Sequence, residues 1–223
     1  TDDFKLQSKS KSLSKGKDQK EWFADGRMVV LYAHGNGGTR GTSNRVTLYK
    51  RIRRELKFHV VAFDYRGYAD STHDNPTADG ITTDTVRVYR WIMSCGVDSK
   101  RILLWGHSLG TAVIVRMLST LSDNEIPCGA VLECPFTNLE ELIPTFGMAR
   151  LFRFLPWFKW FFVAPFTGNN DINFDSVALL PRVQCPLLIM HAQDDDVIPF
   201  ELGQKLYKKA LETQPELAAK KTT

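Results

Sequence analysis

Cysteine is sparse in this 223-residue chain. Cys95, Cys128, Cys134 and Cys185 form neither a CxxC pair nor the dense regular spacing of a secreted scaffold, so four free thiols in or near the core are expected. Long apolar runs are missing as well. No stretch reaches the ~18–20 continuous apolar residues that cross a bilayer, and no charged-then-apolar leader opens the chain, so the segment itself is expected to be soluble. It begins at Thr1 rather than methionine, as a piece of a longer protein with its anchor elsewhere would. The net charge is only +4, and the lysine- and serine-rich opening "TDDFKLQSKSKSLSKGKDQK" precedes the first apolar strand. That stretch has little to bury and reads as a solvated arm. Basic residues interleaved with aromatics on a folded face are wanting, so no nucleic-acid partner is expected.

What is present is the composition of one globular domain with a substantial core, 43% hydrophobic and 24% charged. The apolar runs in "RMVVLYAHG", "FHVVAFDYRG", "RILLWGHS", "CGAVLECPF" and "PLLIMHAQDDDVIP" have strand length. Between them "RVTLYKRIRREL", "ITTDTVRVYRWIMSCG" and "LGTAVIVRMLSTLS" carry helical apolar spacing, as does "FELGQKLYKKALET" after the last. Such alternation predicts an α/β fold, a mostly parallel doubly wound sheet covered on both faces. From Phe136 to Pro181 the alternation breaks and aromatics crowd, which predicts an inserted cap at about 137–180. The expected organisation is a flexible basic arm over 1–24, a folded domain over 25–212 and a flexible tail over 213–223.

Gly106-His107-Ser108-Leu109-Gly110 follows an apolar strand and opens a helix. A sharp strand-to-helix turn of this form strains the serine backbone, admits only small neighbours and presents Ser108 as a nucleophile. The helix start behind it lets the Leu109 amide donate to a developing oxyanion. A second donor is expected from the loop "AHGNGG", through the backbone N–H of Asn36, with His34 supporting that loop.

An acid is expected after the fifth strand, in "HAQDDDVIP". Three consecutive aspartates leave the choice open. Asp195 is favoured, Asp194 is next, and Asp196 fits best as a cap for the helix near Pro199. The chain's five histidines are His34, His59, His73, His107 and His191, and none follows the acid. The expected final strand, base-bearing loop and closing helix are therefore absent, and little or no hydrolysis is expected from this chain alone. Their absence leaves the fifth strand as a bare sheet edge, from which marginal stability or self-association is expected. His191 is expected to pack beneath the acid loop, although its spacing to Asp196 also fits a short acyltransferase pattern.

Together "HGNGG", "VVAFDYRGYADS", "ILLWGHSLGTAV", "LECPFTN", "LPWFKWFF" and "CPLLIMHAQDDDVIPFELGQKLY" cover most of Val29 to Lys209. Over this span the chain resembles the alpha/beta-hydrolase domain-containing lipases that act on monoacylglycerols and lysophosphatidylserine. The resemblance implies an alpha/beta-hydrolase fold and a membrane-associated serine esterase, by family in the endoplasmic reticulum, with an amino-terminal anchor outside this segment. It also implies Ser108 as nucleophile, Asp195 as acid, a lysophospholipid or monoacylglycerol substrate, and no metal or organic cofactor. In that family the histidine lies in a downstream segment that these residues do not include, and "RGxG" carries a glycine where Ala69 stands here. In "LFRFLPWFKWFFVAPF" the rings, among them Trp157, Trp160 and Phe161, flank Arg153 and Lys159, which suits either a headgroup boundary or a buried lid. The alternative to an esterase is a non-catalytic homologue that binds lipid or a protein partner.

Overall fold

The computed structural model describes residues 18–145 and 174–214. Five strands form one parallel sheet: β1 (Val29–Ala33), β2 (His59–Ala62), β3 (Ile102–His107), β4 (Gly129–Glu133) and β5 (Leu187–Met190), in the order β2-β1-β3-β4-β5. Every residue of β1 is buried, as expected of a central parallel strand covered on both faces. The connections carry α1 (Ser43–Arg51), α2 (Ala78–Ser94) and α3 (Leu109–Leu118), and α4 (Phe200–Thr213) follows β5. All five strands and four helices read from apolar periodicity are present.

The strand order fixes where a site can form. The chain starts at β1, steps out to β2, then returns to the other side of β1 for β3, so the connections leave β1 and β3 in opposite directions. Ligands of open α/β sheets bind at the carboxyl ends of the strands beside such a reversal. Ala33 is in register with Gly106, His107 with Glu133, and Glu133 with Met190. The segments that follow β1, β3, β4 and β5 therefore emerge side by side on one edge.

Residues 18–24 correct the expected arm. They carry a one-turn helix, Asp18–Glu21, and Phe23 is buried in the core. Trp22 and Phe23 pack edge-on against Trp91 at centroid separations of 6.0 and 6.2 Å. Two aromatic rings packed on Trp91 of α2 offset the ordering cost that the polar lysine run cannot. Most of the expected cap, with Arg153, Trp157, Lys159, Trp160 and Phe161, lies outside the described residues. Its two ends are described, and an antiparallel bridge between Asn138 and Asp175 holds them together. All four cysteines are free thiols, Cys95 and Cys185 buried.

A pH-dependent contribution to stability comes from the α2 face. Glu125 accepts from Arg90 Nε at 2.6 Å and Nη2 at 3.0 Å, and from Ser122 Oγ at 2.8 Å. The Arg90 guanidinium, then Ser122, hold its carboxyl down at about 2. A carboxyl lowered on folding stabilises the protein above its unfolded value and stops doing so as pH falls through the folded one. Thermal midpoints should therefore drop between pH ~4.5 and ~2, and Glu125→Gln should flatten that part of the profile.

Candidate active site

Ser108 terminates β3 with φ 52° and ψ −116°, a conformation that a non-glycine residue adopts only when its surroundings impose it. The neighbouring glycines are what make this possible. A Cβ on Gly106 would lie 2.5 Å from the Gly110 carbonyl oxygen, and one on Gly110 would lie 2.0 Å from the Ala33 carbonyl oxygen. The turn is pinned by Ser108 N donating to Glu133 O at 2.9 Å and Thr111 N donating to Ser108 O at 2.9 Å. Leu109 is the first residue of α3, so its N–H has no intrahelical acceptor.

The loop after β1 reaches the same point. A Cβ on Gly35 would stand 3.2 Å from Ser108 Cβ and 2.8 Å from His107 Nδ1. Its carbonyls are gathered by a residue that sequence reading missed. The buried Arg45 guanidinium of α1 donates to Thr39 O at 2.7 Å, Gly37 O at 2.6 Å and Gly35 O at 3.3 Å. In a trans peptide the N–H points opposite to the carbonyl of the residue before it. Drawing the Gly35 carbonyl to Arg45 thus turns the Asn36 N–H away from the guanidinium. The Asn36 side chain is held separately, its Oδ1 accepting from Tyr68 Oη at 2.6 Å. His34, buried beneath, donates from Nδ1 to Gly35 O at 2.8 Å and packs on Tyr65. Burial lowers its basicity.

Of the three aspartates only Asp195 is drawn in, with 14% of its side chain exposed, while Asp194 and Asp196 are exposed. Its Oδ1 accepts from the Val197 and Ile198 amides, both at 2.9 Å. Burial works to raise its pKa, yet those amides, the Cys134 thiol and the nearby His191 together hold it below the usual carboxylate range. Asp196 does not cap α4, which begins at Phe200 behind Pro199 as N-cap residue and has no side-chain cap.

Cys134 was not singled out from sequence. It follows β4 with φ 51°, its sulfur lies within 4.8 Å of an Asp195 carboxylate oxygen, and burial, then Asp195, raises the thiol to about 12. The only sequence signal was a cysteine directly after a strand whose neighbours end in the site.

None of the histidines, all within the described residues, hydrogen-bonds the Ser108 hydroxyl. His59 bonds Asp25 at 2.9 Å. His107 Nδ1 is buried without a hydrogen-bond partner among the described residues, and burial lowers its pKa. His191 donates from Nε2 to Ile198 O at 2.9 Å, and its Nδ1 faces Gly203, where a Cβ would stand 2.2 Å away. His191 therefore sits beneath the acid loop, with both ring nitrogens turned to α4 and the loop before it.

A parallel sheet reversing beside β1, with a strained serine at the head of the helix that follows β3, defines the α/β hydrolases as a class. The chain belongs to the alpha/beta hydrolase family, whose sequence profile matches residues 30–219. It is 43% identical over 199 residues to the zebrafish (Danio rerio) lysophosphatidylserine lipase ABHD12, covering 87% of this chain and 51% of that protein. The mouse (Mus musculus) lysophosphatidylserine lipase ABHD12 is 43% identical over 202 residues, covering 88% and 50%. Human (Homo sapiens) protein ABHD12B is 36% identical over 204 residues, covering 88% and 54%. The chain thus spans about half the length of these relatives. Among solved structures, the Pyrococcus furiosus esterase Pf2001 superposes with a TM-score of 0.65 at 22% identity, over 86% of this chain and 70% of that one. A Paleococcus ferrophilus monoacylglycerol lipase gives a TM-score of 0.54 at 18% identity, over 81% and 79%. At these identities the superpositions speak for the fold.

Proposed function

We propose that this domain is the acyl-transfer core of a carboxylic ester hydrolase acting on lysophospholipids of the lysophosphatidylserine type and on monoacylglycerols. Ser108 attacks the ester carbonyl, the amides of Leu109 and Asn36 hold the oxyanion, and water releases the acyl-serine. Asp195 orients and stabilises the base that takes the serine proton. The observation that carries this reading is the strained Ser108 backbone at the head of α3, facing Gly35 of the β1 loop. The lipid substrate is supported by the ABHD12 relatives, which are lysophosphatidylserine lipases. Membrane association belongs to the same reading and rests on the rings and cations of "LFRFLPWFKWFFVAPF". No helix among the described residues is long and apolar enough to cross a membrane.

The base of this reaction is none of the five histidines, so the 223-residue polypeptide reacts slowly. A fluorophosphonate probe tests both halves. Ser108 should label slowly, added imidazole should accelerate labelling, and Ser108→Ala should abolish it. Labelling that persists in Ser108→Ala overturns the nucleophile; fast labelling that imidazole does not change overturns the missing base.

A further inference from the structure

We propose that Cys134, His191 and Asp195 form a binding site for a soft divalent cation such as Zn²⁺. Their ligand atoms, one sulfur, one imidazole nitrogen and one carboxylate oxygen, lie within 4.8 Å of one another. Asp195 Oδ2 stands 3.5 Å from His191 Nε2, and the Cys134 sulfur faces the same carboxylate within that limit. Zinc takes this donor set at about 2.3 Å to sulfur and about 2.0–2.2 Å to nitrogen and oxygen, so tetrahedral ligands sit roughly 3.3–3.6 Å apart. Drawing in the widest of the three separations by about 1 Å closes the triangle. A fourth position remains for water.

The backbone presents the three donors together. Cys134 follows β4 and His191 follows β5, and Cys134 N donates to Met190 O at 2.8 Å. The positive φ of Cys134 is a second strained non-glycine position on the site edge, and it is the one that delivers the thiol to Asp195. Asp195 spends Oδ1 on two backbone amides, so its other oxygen is the one offered to the cation. A cleft of about 330 Å³ is lined in part by Asp195, Asp196 and Glu201. Three carboxylates there favour the approach of a cation. The thiolate and imidazole then select against Mg²⁺ and Ca²⁺, which prefer all-oxygen sites.

Binding rearranges two protons. The Cys134 thiol proton leaves to solvent as the sulfur–metal bond forms. The His191 proton moves from Nε2, where it serves Ile198 O, to Nδ1, which has no partner among the described residues. One proton is therefore released per ion bound. Under the function proposed above, the ion would also draw Asp195 away from the base of Ser108. Metal binding is read without any turnover, so its failure and the failure of that function are separate results.

The test titrates the 223-residue chain with Co²⁺ and follows the near-ultraviolet thiolate-to-cobalt band, then displaces Co²⁺ with Zn²⁺. The expected result is one ion per chain, displaced by Zn²⁺ and not by equimolar Mg²⁺, with Zn²⁺ shielding Cys134 from alkylation in peptide mapping of the unmodified protein. Calorimetry in buffers of different ionisation heat should report one proton released. Cys134→Ser should remove the band and weaken Zn²⁺ by more than the about 10–100-fold that loss of an outer-shell partner costs. His191→Gln should weaken it comparably. An absent band, an unshielded Cys134, or equal affinity in a folded Cys134→Ser protein overturns the site.

Discussion

Gly110→Ala is expected to remove most of the stability of this domain. The added Cβ would stand 2.0 Å from the Ala33 carbonyl oxygen, 2.6 Å from its carbon and 3.1 Å from the His34 carbonyl oxygen. All three are backbone atoms of, or next to, the central strand, so no rotamer change relieves the overlap. Relief requires α3 to back away from β1 by more than an ångström. That would open the layer formed by Val113, Ile114, Met117 and Leu118, each buried to within 1%. Overpacking against adaptable side chains costs about 1–3 kcal/mol. Against fixed backbone the cost should exceed the ~4–5 kcal/mol that marks the extreme of single substitutions, a large part of the ~5–15 kcal/mol holding a domain folded. Urea denaturation followed by circular dichroism measures it. Gly37→Ala is the matched control, because a Cβ there meets nothing within 4 Å, and it should stay within about 0.5 kcal/mol of the unmodified chain. A Gly110→Ala protein with an unshifted midpoint would contradict the tight turn from which the whole site is built.

The fold was legible because its signal is collective. Apolar runs such as Val29–Ala33 and Leu187–Met190, separated by amphipathic helices, leave few alternatives to a covered parallel sheet. Ser108 was legible for a related reason: the glycines on either side of it are a steric requirement and therefore appear as residue identities. Among the aspartates the sequence left a choice, since three adjacent carboxyls look alike until the backbone shows which accepts from Val197 and Ile198. Ala69 adopts φ 47°, the conformation suited to the glycine that the family pattern carries there. Cys134 and Arg45 stayed hidden because their roles depend on contacts across the sheet edge or to loop carbonyls. An arginine in a polar helix reads as a solvated cation, and nothing local to "SNRVTLYKR" marks it as a buried guanidinium.

Arg45→Met should lower the rate at which Ser108 is phosphonylated in the presence of imidazole by about 10²–10³-fold, the loss expected when an oxyanion donor is removed. Methionine retains much of the side-chain volume and none of the donors. Gly37 O then loses its Arg45 bond of 2.6 Å, Thr39 O loses the one of 2.7 Å but keeps Thr42 N and Oγ1 at 3.2 and 2.9 Å, and Gly35 O keeps only the His34 bond at 2.8 Å. Gly37 is exposed, so without the guanidinium that tethers it to Gly35 its carbonyl turns to water, and the Asn36 N–H between them turns with it. With imidazole supplied from solution, the missing base no longer limits the comparison, and what remains of the rate is set by binding and by the oxyanion donors. Arg45→Lys separates charge from geometry: a single ammonium keeps the cation but cannot hold three carbonyls in one plane. It should fall between the other two proteins in rate while matching the unmodified chain in circular dichroism. If Arg45→Met folds and labels at the unmodified rate, the Asn36 amide contributes nothing to the oxyanion, and the donor opposite Leu109 must come from another part of the edge.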